Sequence, residues 1–441
     1  MHKHLIVIGL VACIAGCPPR ESTGPEVSPD GQVEATPTPT PSPSPTTSSR
    51  VGFTGCMNGL PTDGMWKCDP IVADVNGDGH LDIGAIPRRG DGPHVWLGDG
   101  TGNWTDSSQG LAVEDRSCGG GLEFADINSD GHLDLVVADH CQGVFVYLGD
   151  GTGSWTMVTN AMYPKELSPD DPENRMYVGA EDIAVGDVNG DGNLDLLAAS
   201  SDAGGLNLWL GDGTGSNWTW IVSGLPSSGW ANRVVLVDLN GDDVLDVVAT
   251  HSEGPRVWLG EGQGTWVEAS DGLPSPLIKG LYVGVTVGDL NHDGRPDLAL
   301  ANWIDGPEVH LQQSDGSWLK SADVFTDMVG GALGIDVGDL DGDGEMDLVV
   351  AGRMQRNGGY VRGMFALMGD GAGGWLYMPD CGLPATGMAS SPGVKLADIN
   401  GNAMLDVIVT SGLIVETAPG RTEPILPERV LVWCSAPVGN E

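Results

Sequence analysis

Asp74-Val75-Asn76-Gly77-Asp78-Gly79-His80-Leu81-Asp82 is the stretch on which the fold turns, and it occurs seven times. Later versions begin at Asp126, Asp187, Asp238, Asp289, Asp339 and Asp398, at intervals of 52, 61, 51, 51, 50 and 59 residues. Positions 1, 3, 5 and 9 carry side-chain oxygens, and position 6 is usually Gly. Oxygens at these spacings in a tight turn describe a site for a hard cation. A fixed period near 50 residues describes a repeat architecture.

The residues around each loop define the unit. In the third repeat, Ile183-Ala184-Val185-Gly186 enters the loop and Leu194-Asp195-Leu196-Leu197-Ala198 leaves it. Leu208-Trp209-Leu210 follows, then Gly211-Asp212-Gly213-Thr214-Gly215, then Trp218-Thr219-Trp220-Ile221, and Gly224-Leu225-Pro226 leads onward. These are four short apolar runs rich in strand formers, separated by turns that need positive φ. Four strands in about 50 residues make one blade of a β-propeller. The expected fold is all-β: a seven-bladed propeller of four-stranded blades over residues 51–437. The last repeat stops after its third strand, Val430-Leu431-Val432-Trp433, whereas Val51-Gly52-Phe53-Thr54 followed by Gly59-Leu60-Pro61 matches a fourth strand and its connection. The N-terminal strand is therefore expected to complete the last blade and remove the open edges.

Calcium takes six to eight oxygens in flexible geometry. The expected ligands are Asp74, Asn76, Asp78, His80 and Asp82 in the first loop, and Asp126, Asn128, Asp130, His132 and Asp134 in the second. They are Asp187, Asn189, Asp191, Asn193 and Asp195 in the third, and Asp238, Asn240, Asp242, Val244 and Asp246 in the fourth. The fifth loop offers Asp289, Asn291, Asp293, Arg295 and Asp297, and the sixth Asp339, Asp341, Asp343, Glu345 and Asp347. Position 7 contributes only its carbonyl, which explains its varied side chains. No Glu stands at position 12, so these are not EF-hands. With four carboxylates, the sixth loop is expected to bind best. The seventh has Asp398, Asn400, Asn402 and Asp406, with Ala403 at position 6, and is expected to be the weakest. In the fourth, Asp243 replaces the usual Gly; Asp tolerates left-handed backbone better than most residues.

Trp recurs at one position in six repeats, at Trp104, Trp155, Trp218, Trp266, Trp318 and Trp375, with a second set at Trp96, Trp209, Trp258 and Trp433. A sugar-binding groove is one reading; the fixed register favours packing between blades.

The chain carries 61 acidic and 20 basic residues, a formal charge of −41. That excludes nucleic acid as a partner, because gripping phosphates needs clustered Lys and Arg. At the N-terminus, Lys3 precedes the apolar run Leu5 to Ile14, too short to span a membrane comfortably. The run ends in Ile14-Ala15-Gly16-Cys17, which resembles a bacterial lipobox with Cys17 as the lipid-bearing residue. The expectation is an exported protein lipid-anchored to the bacterial envelope, at the outer membrane or cell surface, with residues 1–17 as signal. Residues 18–50 form a tether, entirely Pro, Ser and Thr from Thr36 to Ser49. Of the eight cysteines, Cys13 lies in the signal and the six that follow Cys17 suggest disulfides. Cys118 and Cys141 flank the second loop and are the expected pair; Cys56, Cys68, Cys381 and Cys434 leave three pairings open.

The pattern resembles the FG-GAP and VCBS repeats of integrin α-subunit propellers and many bacterial surface proteins. The Phe-Gly and Gly-Ala-Pro signatures are not evident here, so the likeness is to the broader bacterial VCBS-like group. It implies cation-stabilised blades and adhesion or ligand binding. In such blades the acidic loops share a face with the Gly-Asp-Gly turns. The other face carries the connections between second and third strands, with irregular insertions at Ala161–Arg175, Gly352–Gly363 and Ser411–Arg429. Arg353, Arg356, Arg362, Arg421 and Arg429 lie there and are the candidate contacts for a protein or an anionic glycan. The leading expectation is a calcium-stabilised binding or adhesion module at the cell surface. Alternatives are a lectin and a calcium-dependent polysaccharide-degrading enzyme. For the last, His140 and His251 are the acid–base candidates, without a Ser-His-Asp, Cys-His or glycosidase constellation.

Overall fold

A computed structural model describes residues 51–90, 92–112, 117–162, 179–200, 204–276, 281–321, 329–356, 359–389, 393–412 and 429–438. All belong to one compact unit, Thr47–Glu441. The signal, the tether, Cys17 and Arg421 lie outside the described residues, as does most of the insertions at 161–175 and 411–429. Seven four-stranded antiparallel sheets form a closed ring. The first strand of each blade packs against the first strands of its neighbours and surrounds the axis.

Second and third strands are sandwiched between adjacent blades. The second strand Asp134–Asp139 is buried along its whole length, as are Asp195–Ser200, Asp246–His251 and Asp297–Asn302. This explains why these runs are continuously apolar between their polar ends rather than alternating. Each buried Val or Leu contributes about 1.5–3 kcal/mol.

Closure follows expectation. Val51–Gly55 pairs antiparallel with Val430–Pro437 and completes the seventh sheet. Phe53 takes the place that Trp holds in other blades. Its N–H donates to the carbonyl of Cys381, as that of Trp104 donates to Asn58, Trp155 to Gln109 and Trp318 to Asp271. The Gly after each acceptor is sterically required: a Cβ on Gly59, at φ +94°, would meet the Trp104 carbonyl oxygen at 2.0 Å. The Trp rings are packing elements. Trp104, Trp155 and Trp318 are buried, and their indole N–H groups donate to the carbonyls of Cys56, Ser107 and Ala269 in the preceding connections.

Among the described residues there are two disulfides, Cys118–Cys141 and Cys56–Cys434. The second ties the N-terminal strand to the C-terminal one and so locks the ring where it closes. Cys68 and Cys381 are free and buried. One expectation needs correcting: Gly352–Gly363 is no irregular insertion. It belongs to a long hairpin of Asp347–Arg356 and Gly359–Gly369, paired in register from Leu348↔Leu367 to Arg356↔Gly359. With ten residues against six in the equivalent strand of blade 5, it reaches roughly 13 Å farther at ~3.3 Å per residue.

Candidate cation loops, the axial cavity and the opposite face

All seven acidic loops share one backbone. Position 4 has positive φ in every loop, including Ser129 (57°) and His292 (59°), and so does position 6, including Asp243 (64°) and Ala403 (65°). The loop conformation thus persists where the Gly that favours it is missing.

Within the first loop, Asp74 accepts from the N–H groups of Asp78 and Gly79, at 3.0 and 2.8 Å. Asn76 Oδ1 accepts from Asp78 N, and Asp78 Oδ1 from His80 N. The same bonds recur around Asp126, Asn128 and Asp130, and around Asp238, Asn240 and Asp242. Converging amides hold the exposed carboxylates in place before any ion arrives. In the sixth loop the carboxylate oxygens of Asp339, Asp341 and Asp347 come within 4.8 Å of one another. This donor set of hard oxygens fits calcium. In the first five loops the position-3 Asn donates to the position-5 Asp instead (2.9 Å for Asn76 and Asp78).

Position 9 has a second role that sequence alone did not disclose. Its carboxylate is buried in every loop. One oxygen accepts from the N–H of position 2 and the other from the third strand of the same blade. The pairs are Val75 and Gly98 for Asp82, Ile127 and Gly149 for Asp134, and Val188 and Gly211 for Asp195. They are Leu239 and Gly260 for Asp246, Leu290 and Gln312 for Asp297, and Leu340 and Gly369 for Asp347. Asp406 takes Ile399 and Ser435. Position 9 is therefore a clasp between the loop and the blade, with lone pairs left for an ion. Burial pushes Asp82, Asp195 and Asp297 up to about 6 and Asp347 to about 7.

Position 7 side chains rest on the following turn in five loops, and in the loop at Asp289 the side chain folds back onto the loop. A Cβ on Gly100 or Gly151 would lie 2.4 or 2.2 Å from Nδ1 of His80 or His132, so both rings rest on the following turn. Asn193, Val244 and Glu345 sit likewise against Gly213, Gly262 and Gly371. Arg295 donates from Nε to the Gln312 carbonyl and pairs with Asp293. In the seventh loop, Asn400 Nδ2 donates to the position-9 carboxylate of Asp406 rather than to position 5, and Asn402 Nδ2 donates to the Ser435 carbonyl.

The opposite face carries aromatic side chains. Trp303 and Ile304, in the turn between second and third strands of blade 5, are 44% and 42% exposed, and Tyr360 on the blade 6 hairpin is 45% exposed. Arg353 ties them together: Nη2 donates to the Trp303 carbonyl at 2.8 Å, and the guanidinium lies 5.4 Å from the centre of the Tyr360 ring. Arg353 is thus a brace as well as a charge. Arg362 stands opposite it across the hairpin. Arg429 contributes its carbonyl to Ser411 N, and the side chain of Arg356 is outside the described residues. Sequence reading missed the aromatics. The signal was Asn357-Gly358, a tight-turn pair between strand-like runs, which marked a protruding hairpin.

Near the axis on this face, Glu181 is buried and accepts from Lys67 Nζ at 2.5 Å and His140 Nδ1 at 2.6 Å. Burial works to raise Glu181, but the Lys67 ammonium and the hydrogen bond with His140 outweigh it and hold it at about 2. His251 Nε2 lies 3.0 Å from the Ser228 carbonyl. The axis itself holds a cavity of about 540 Å³ lined by first-strand residues of all seven blades, Glu123, Asp182, Arg233, Asp336 and Lys395 among them.

A model of the FG-GAP-like repeat matches residues 74–137, 126–198, 187–249, 238–300 and 289–350. No curated protein sequence matches the chain. Among solved structures, the chain is similar to an Agrocybe aegerita lectin described for specific recognition of non-reducing terminal N-acetylglucosamine. The identity is 20%, with 72% of this chain and 79% of that one covered and a TM-score of 0.46. It is also similar to BBS1N solved in complex with ARL6DN, at 11% identity, covering 90% of this chain and 99% of that one, with a TM-score of 0.50. The likeness to BBS1N concerns the fold alone. The five overlapping repeat matches run from residue 74 to residue 350, well over half of the 441 residues, and the chain belongs to the FG-GAP-like repeat family.

Proposed function

We propose that this protein is a calcium-stabilised binding module, lipid-anchored to a bacterial envelope through Cys17 and held off the membrane by the Pro/Ser/Thr tether. It engages a protein or carbohydrate partner with the face opposite the acidic loops. The observation that carries this reading is the asymmetry of the ring. One face is seven versions of one loop. The other bears exposed Trp303, Ile304 and Tyr360, fixed to adjacent blades by Arg353. Exposed aromatics on a rigid scaffold are the usual material of recognition surfaces. Calcium in the loops is structural: it neutralises carboxylates that the fold crowds together, and it stabilises the folded state by mass action. The module binds without turnover.

The test is a screen of glycan and matrix-protein arrays, with calcium and with chelator, repeated for Trp303→Ser with Tyr360→Ser and for Arg353→Ala with Arg356→Ala. Loss of a ligand in these variants at unchanged melting temperature supports the reading. Retention of every ligand overturns the assignment of the face. Release of sugar fragments from a polysaccharide would instead make the protein an enzyme.

A further inference from the structure

Three residues before each loop's first Asp, the first strands carry Ile71, Glu123, Ala184, Val235, Thr286, Asp336 and Lys395, and all seven line the axial cavity. Two residues earlier stand Asp69, Asp182 and Arg233, which line it too, with Gly at the other four blades. The cavity therefore has two polar tiers, about 7 Å apart along the strands.

In the outer tier, Arg233 Nε pairs with Asp69 at 2.6 Å. Asp182 is buried, and its Oδ2 accepts from Val234 N at 3.0 Å. In the inner tier, Asp336 accepts from Leu396 N at 2.8 Å and Thr286 Oγ1 at 3.1 Å, with Lys395 Nζ 3.9 Å away. Among the described residues none donates a hydrogen bond to the Glu123 carboxylate; Lys395 is its charged neighbour. Four carboxylates thus share the cavity with two cationic side chains. Two negative charges stay unmatched, one in each tier: Glu123 and Asp182. Burial pushes each up to about 7, against the opposing pull of Lys395 and Arg233.

We infer that the axial cavity is a receptor site for a linear aliphatic diamine or polyamine, with one ammonium group at Glu123 and a second at Asp182. A dication supplies the missing charge in one molecule. A four-carbon spacer sets its nitrogens about 6 Å apart, close to the separation of the tiers. Ile71, Ala184 and Val235 give the Glu123 tier an apolar wall for the methylenes, and the strongly acidic chain concentrates cations at its surface. A single metal ion fits less well, because the side-chain oxygens are spread over separate blades and two tiers rather than gathered into one shell. The site is independent of the acidic loops and of the aromatic face.

The experiment is calorimetric titration of the full chain with 1,4-diaminobutane at pH 8, in calcium sufficient to saturate the loops. The expected result is one saturable site, with 1-aminobutane at least about tenfold weaker. Glu123→Gln and Asp182→Asn should each weaken binding about tenfold, whereas Glu261→Gln, in an exposed turn outside the cavity and the acidic loops, leaves it unchanged. Lys395→Met should tighten it, because it removes a competing cation; a gain in affinity cannot come from misfolding. No saturable heat, equal binding of the monoamine, binding that survives both carboxylate substitutions, or weaker binding by Lys395→Met each overturns the inference.

Discussion

Replacing Asp134 by Ala separates the two roles of position 9. The side chain is fully buried, and its two oxygens accept from Ile127 N and Gly149 N, each at 2.9 Å. Removing it strands two buried N–H donors at about 1–3 kcal/mol each, and the smaller side chain leaves a void. The expected loss is about 3–5 kcal/mol even in chelator, where no ion can be involved. Asp134→Asn keeps one acceptor and turns a donor toward the other N–H; it should lose about half as much. Asp126→Ala, at position 1, removes an exposed carboxylate. In chelator it should cost no more than about 1 kcal/mol, because water replaces its bonds, and it should weaken the response to calcium. The assay is urea unfolding followed by Trp fluorescence, with and without calcium. Equal losses for Asp134→Ala and Asp126→Ala in chelator would refute the clasp and return position 9 to a purely ligating role.

Other outcomes follow from the same structure. Cys56→Ser with Cys434→Ser should cost about 5 kcal/mol, and Cys118→Ser with Cys141→Ser about 3 kcal/mol, because the bridged separations are 378 and 23 residues and loop entropy grows with length; urea midpoints under non-reducing conditions compare them. Burial pushes the Cys68 thiol up to about 12 and raises Cys381, so peptide mapping after iodoacetamide should find both unlabelled until the protein is unfolded; rapid native labelling of either contradicts their burial. Burial holds Asp182 at about 7, above the ordinary carboxylate value, despite the pull of Arg233. The folded state then binds the extra proton, so this group's contribution is greatest below about pH 4 and declines as pH rises through 7. In calcium and without diamine, melting temperatures at pH 5 and 8 should fall more for the wild type than for Asp182→Asn, and parallel curves would show that Asp182 does not titrate in this range.

The ring was legible because its devices are repeated. Seven loops with oxygens at fixed spacing, a Trp per blade and a Gly-Leu-Pro connection report architecture redundantly, so single departures such as Asp243, Ala403 or Phe53 do not hide it. Closure was legible for the same reason: the missing fourth strand at one end matched the spare strand at the other. Features that occur once were harder. The hairpin bearing Tyr360 read as an insertion, since Gly352 and the Arg residues break its apolar alternation; only the Asn357-Gly358 pair pointed to a turn. Glu123, Asp182, Asp336 and Lys395 look like isolated charges in apolar strands until the ring brings all seven first strands around one axis. The clasp at position 9 was masked by its own consistency, because an Asp required for ligation and an Asp required for a buried hydrogen-bond pair leave the same letter.

Calcium is the point on which the central claim is most exposed. The decisive measurement is native mass spectrometry of the chain titrated with calcium, alongside its melting temperature. Each loop should take up one ion, the Asp339 loop filling first and the Asp398 loop last. The melting temperature should rise with occupancy and fall again on chelation. No bound calcium at millimolar concentration, or full occupancy with an unchanged melting temperature, would contradict a ring stabilised by its cation loops.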